Sequence, residues 1–146
     1  MVNLLVALDL SAASGDVLRA ARKYATATKA QVRLLHVAEP NPSFVGYEGG
    51  PDIVRDQVAH ELRNEHRALQ EHADSLREAG IDATALLIPG PTVETILKEA
   101  EKMPADMIVL GNYGHGAVYQ LVAGSTCLGV VKQTTLPLLL VPVSKT

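Results

Sequence analysis

Short runs of apolar residues alternate along this chain with longer stretches in which apolar positions recur every three or four residues. Residues 2–8, 32–37, 83–88, 107–110 and 138–143 are nearly unbroken runs of Val, Leu, Ile, Ala and Met. They lack the apolar/polar alternation of a strand with one wet face, so each is predicted to be a strand buried on both sides. Between them, residues 14–28, 53–79, 93–103 and roughly 125–133 carry the helical period. Strand–helix alternation of this kind forms right-handed βαβ crossovers and a parallel sheet. The predicted fold is therefore α/β: one open, doubly wound sheet of five parallel strands with four helices, in a single domain spanning residues 1–146.

Local signals punctuate the same elements. Ser14 and Thr92 are the expected caps of the first and third helices, Gly80 ends the second, and Pro104 stops the third just before the fourth strand. Within the second helix Val58, Leu62, Leu69, Ala73 and Leu76 make an apolar stripe, and the Arg, Glu and Gln between them read as a solvated face. Residues 39–52 contain Pro40, Pro42, Gly46, Gly49, Gly50 and Pro51, which predicts a long loop.

Composition narrows the function classes. With 146 residues, 47% of them apolar, the chain can bury a substantial core. No apolar stretch approaches the roughly 18 to 20 residues needed to cross a bilayer, and the first residues lead straight into a strand, so a cytoplasmic protein without a membrane partner is expected. Cys127 is the only cysteine, which rules out an internal disulfide. A net charge of −3, no Trp and one Phe argue against a nucleic-acid partner, which needs a basic face and stacking rings.

The chemistry concentrates after the fourth strand. Gly111-Asn112-Tyr113-Gly114, nine further residues, then Gly124-Ser125 follow the run Met107-Ile-Val-Leu110. Glycines at a strand exit let the backbone approach a ligand, and a helix starting near Gly124 presents free N–H groups and partial positive charge to an anion. The segment has neither the Gly-Lys-Ser/Thr end of a Walker loop nor the third glycine of a dinucleotide fingerprint.

These residues resemble the universal stress protein family, specifically its ATP-binding branch, whose mark is Gly, two residues, Gly, nine residues, Gly, then Ser or Thr; here Gly111, Gly114, Gly124 and Ser125 match it. The resemblance extends to Leu4-Leu-Val-Ala-Leu-Asp9, to Leu34-Leu-His-Val37 and to Leu136-Pro-Leu-Leu-Leu-Val-Pro142. It implies strand order 3-2-1-4-5, with the ligand at the switch point between Asp9 and Gly111. It also implies an adenine nucleotide, ATP, ADP or AMP with Mg as a possible companion. The edge formed by Ala7, Leu8 and Asp9 would meet the adenine and ribose, and Val37 the adenine. Backbone N–H groups of Asn112, Gly114, His115 and Gly116, with those of Ser125 and Thr126 and their hydroxyls, would hold phosphates around Gly124. The family often has Arg or Lys after Gly114, and His115 departs from that. A homodimer formed by the closing strand, from Leu136 to Val143, is implied as well.

Other candidates carry plainer readings. Phe44 and Tyr47 could lie over a base or anchor the loop. His60, His66 and His72 are six residues apart, about 240° around a helix, so they do not share a face as zinc ligands would. Cys127 reads as a packing thiol and His36 as a hydrogen-bonded structural histidine. No catalytic constellation assembles near the glycines, which favours a stress-response regulatory or protective binding module. The alternatives are a slow Mg-dependent ATPase or self-phosphorylating protein, and a nucleotide-free dimeric adaptor.

Overall fold

The computed structural model describes residues 1–38, 51–112 and 124–143, with backbone alone at 51–54, 124 and 125. In chain order the elements are β1 (Asn3–Ala7), α1 (Ser14–Thr28), β2 (Gln31–Ala38), α2 (Pro51–Glu78), β3 (Asp82–Pro89), α3 (Thr92–Lys102), β4 (Met107–Asn112), α4 (Gly124–Gln133) and β5 (Leu138–Pro142). All strand pairs are parallel and their order is β3-β2-β1-β4-β5, as the resemblance implied. In the register, Val6 is level with Leu34 on one side and Val109 on the other.

Because side chains alternate across a strand, β1 feeds two cores. Leu4 and Val6 join Val17 and Ala21 of α1 and Leu69, Ala73 and Leu76 of α2. Leu5 goes the other way, to Ile96 and Ala100 of α3 and Val130 of α4. The α2 stripe is buried at Leu69, Ala73 and Leu76 and half-buried at Val58 and Leu62.

Two expected caps are corrected. The cap of α1 is Ala13, and Ser14 is the first helical residue, buried, with no capping bond. The hydroxyl acting in this turn is upstream: Ser11 Oγ accepts from Ala13 N–H at 3.2 Å and donates to Asp9 Oδ1 at 2.7 Å. Likewise Pro91, in extended conformation, precedes α3, and Thr92 lies inside the helix. Gly80 does end α2, with φ of +85° and its N–H bonded to Arg77 O at 2.9 Å.

Helices α3 and α4 touch closely at Gly129, where a Cβ would stand 2.7 Å from Val93 Cγ2 and 3.3 Å from Cγ1. Valine in a helix has little rotamer freedom with which to yield. Gly129→Ala is expected to lower unfolding free energy by about 1–3 kcal/mol even though Ala favours helix. Urea titration checks this, and Val93→Ala in the same chain should restore most of the loss.

Candidate functional site

The carboxyl end of β1 turns sharply. Asp9 Oδ1 accepts from Ser11 N–H at 3.0 Å as well as from its hydroxyl, closing an Asx turn. Leu10, between them, sits at φ of +61°, a left-handed conformation rare for a leucine. Its side chain packs against the α1–α2 core, so burial offsets the backbone cost.

Beside this turn a cavity of about 420 Å³ opens at the carboxyl edge of the sheet. Six predicted contacts line it together: Ala7, Leu8, Asp9, Val37, Gly111 and Thr126. Since β1 lies between β2 and β4, the fold brings the ends of these three strands side by side there. Gly124 and Ser125 open α4, so their backbone lies at its N-terminus, while Asn112 ends β4 and accepts from Val143 N–H at 3.4 Å. Gly114, His115 and Gly116, and the loop carrying Phe44 and Tyr47, lie outside the described residues.

The cavity has an apolar wall and a polar one. Leu35, Val37, Ile96 and Leu110 supply apolar surface continuous with the α3–α4 core. Ser14, His36 and Glu65 supply the polar side. His36 shares the strand face of Val32 and Leu34, turned toward α1 and α2; its Nδ1 lies 2.8 Å from Leu8 O and its Nε2 3.2 Å from Glu65 Oε2. It is thus the hydrogen-bonded histidine expected, and also part of the cavity wall. Ser14 and Glu65 are residues that sequence reasoning missed. Glu65 was assigned to the solvated face of α2, yet it falls in phase with the stripe, three residues after Leu62 and four before Leu69. One polar position within an apolar stripe is the signal that could have found it.

Cys127 is half-buried and lines the same cavity. Burial pushes its thiol above the ordinary value, leaving little of the reactive thiolate at neutral pH. Alkylation by iodoacetamide, followed by intact mass, should be slow at pH 7 and accelerate about tenfold per pH unit until the thiol has ionised.

The α2 histidines stand apart from this chemistry. His60 Nε2 is 3.2 Å from Asn64 Nδ2 and His66 Nε2 is 3.4 Å from Gln70 Nε2, both on exposed surface. Among the described residues no group of three or more His, Cys, Asp or Glu is placed to hold a metal ion. Nor is any described helix long and apolar enough to cross a membrane.

Residues 1–142 match the Universal stress protein family. A Thermus aquaticus universal stress protein is 32% identical over 140 residues, covering 95% of this chain and 97% of its own length. Universal stress protein YxiE of Bacillus subtilis is 28% identical over 144 residues, covering 95% of this chain and 97% of its own. Solved structures share the fold at lower identity. Universal stress protein UspA from Lactobacillus plantarum superposes with a TM-score of 0.75 at 22% identity, over 96% of this chain and 97% of that one. A universal stress protein in complex with cAMP gives 0.71 at 22% over 98% of both chains. The Archaeoglobus fulgidus universal stress protein in complex with dAMP gives 0.65 at 19%, over 97% and 98%.

Proposed function

Because the chain belongs to the universal stress protein family, we propose that it is a cytoplasmic, single-domain adenine-nucleotide-binding module of the stress response. It takes ATP, ADP or AMP between the ends of β1 and β4 and acts through occupancy rather than turnover. The observation carrying this reading is the cavity in which Ala7, Leu8, Asp9, Val37, Gly111 and Thr126 converge. Its apolar wall suits a purine face, and α4 begins at Gly124 with the free N–H groups and partial positive charge that favour an anion. The ligands of two structurally similar proteins, cAMP and dAMP, share the adenine.

Occupancy is favoured over hydrolysis by the donor set. Fast phosphoryl transfer needs a positioned water, a metal held by carboxylates and a cation on the γ-phosphate. The segment from Gly111 to Gly124 has no Asp or Glu. Asp9, on the cavity wall, is engaged with Ser11. Mg²⁺ would then accompany ATP chiefly as a counterion of its phosphates. Native mass spectrometry of gently purified protein should find an adenine nucleotide travelling with it, and phosphate release from Mg²⁺-ATP should stay far below the roughly 1 s⁻¹ low end of ordinary enzymes. A nucleotide-free protein that also fails to bind added ATP or AMP would favour the adaptor reading. Rapid release lost on His115→Ala would favour the enzyme.

A further inference from the structure

An open sheet has two edge strands, here β3 and β5, and among the described residues each is paired with a strand on one side only. Along a strand the N–H and C=O of one residue point to one side and those of the next residue to the other. Gly90, just past β3, donates its N–H to Ala38 O of β2 at 3.1 Å, so Thr84, Leu86 and Ile88 turn their backbone toward β2 while Ala83, Ala85, Leu87 and Pro89 turn theirs outward. That outward row is blocked at its start. Ala83 O accepts from Arg77 Nε of α2 at 2.7 Å, and Arg77 Nη1 donates to Asp74 Oδ1 at 2.7 Å. Strand β5 differs. Ile108 N–H donates to Pro137 O at 3.0 Å and Val143 N–H to Asn112 O at 3.4 Å, which leaves the backbone of Leu138 and Leu140 facing outward with no side chain bonded to it among the described residues. Both outward rows end in a proline, Pro89 and Pro142, so the difference between the two edges is Arg77.

We propose that Arg77 is an edge guard: it closes β3 to strand addition by a second copy of this chain and leaves β5 as the one edge at which copies can pair. A chain with one open edge stops at a pair, whereas a chain with two can add copies without end. A strand arriving at β3 needs Ala83 O as an acceptor, and the guanidinium already fills it. It would also have to bury that charge, since the Arg77 side chain is 45% exposed. The Asp74 carboxylate holds the far side of the fork, which keeps Nε turned to the strand. The guard stands where it is needed, because Thr84-Ala-Leu-Leu-Ile88 carries no charge of its own to discourage pairing.

Sedimentation velocity from low to high micromolar protein tests the assignment on wild type, Arg77→Ala and the double variant Arg77→Ala with Leu140→Lys. Alanine keeps α2 helical while removing both the donor and the charge. Wild type should level off at no more than two chains, and Arg77→Ala should climb with concentration to about threefold that mass or more, reversibly on dilution. Lysine at Leu140 closes the other edge, so the double variant should again stop at a pair. An Arg77→Ala protein that follows the wild-type curve overturns the proposal. Growth that Leu140→Lys leaves untouched overturns it too, because it would run through a surface other than the strand edges. Circular dichroism and melting curves on the same samples separate edge pairing from aggregation of unfolded chain. Should Arg77→Ala melt near the working temperature, Arg77→Met, which keeps the side-chain stem and removes the donor, takes its place under the same criteria.

Discussion

Gly124→Val should reduce ATP and AMP affinity at least a hundredfold while leaving the far-ultraviolet circular dichroism unchanged. Gly124 is the first residue of α4, just where an anion would meet the unbonded N–H groups of the helix. In the proposed site the phosphates approach this backbone within hydrogen-bond distance, about 2.9 Å, and a branched side chain occupies the space they need. Affinity drops twofold over: the N–H bonds are lost, and the helix's partial charge, worth on the order of 0.3–1 kcal/mol per anion and up to about 2 when partly buried, is screened by carbon. The helix itself should tolerate valine at its first turn, since its intrinsic cost there is a fraction of a kcal/mol. Isothermal titration provides the check; near wild-type affinity for ATP would move the phosphates elsewhere.

The second large effect concerns assembly. If the closing strand forms the homodimer that the family resemblance implies, Leu140→Lys should convert dimer to monomer in light scattering coupled to size exclusion. Among the described residues strand β5 is bonded on one side only, to β4, and its residues from Leu138 to Val141 are all Leu or Val. An apolar edge with unpaired N–H and C=O groups is a template for another strand unless something blocks it. Leu140 is 38% exposed, so a lysine there meets water in the monomer but a partner strand in the dimer. Val141, 7% exposed and part of the core, is a poorer probe because a lysine there would unfold the chain as readily as dissociate it. A Leu140→Lys protein that is still dimeric would place the interface on another surface, for which Leu128 and Val131 of α4, 53% and 46% exposed, are the next residues to charge.

Much of this architecture was legible in the chain because its strands are buried on both faces. Continuous runs such as Leu4-Leu-Val-Ala need no knowledge of which side is wet, and parallel crossovers follow from the helices between them. The order of strands was not read from periodicity; it came with the resemblance, since outward winding alone leaves several places for β4 and β5. The caps failed at Ser14 and Thr92 for a physical reason. A serine hydroxyl two or three residues earlier can serve the same turn, and Ser11, tied to Asp9, does. Glu65 and His36 were missed as a pair because each looked ordinary alone. A glutamate on a charged helix suggests solvent, and a histidine in a strand suggests a structural bond; only the packing of α2 across the end of β2 brings them to 3.2 Å.

The sheet also works as a partition. Leu4 and Val6 answer to α1 and α2, Leu5 to α3 and α4, although the three are consecutive-to-alternate neighbours on one strand. Substitutions in the two halves share few contacts, so their effects on stability should largely add. Sequence drift can then remodel the half built on α3 and α4 without retuning the half built on α1 and α2.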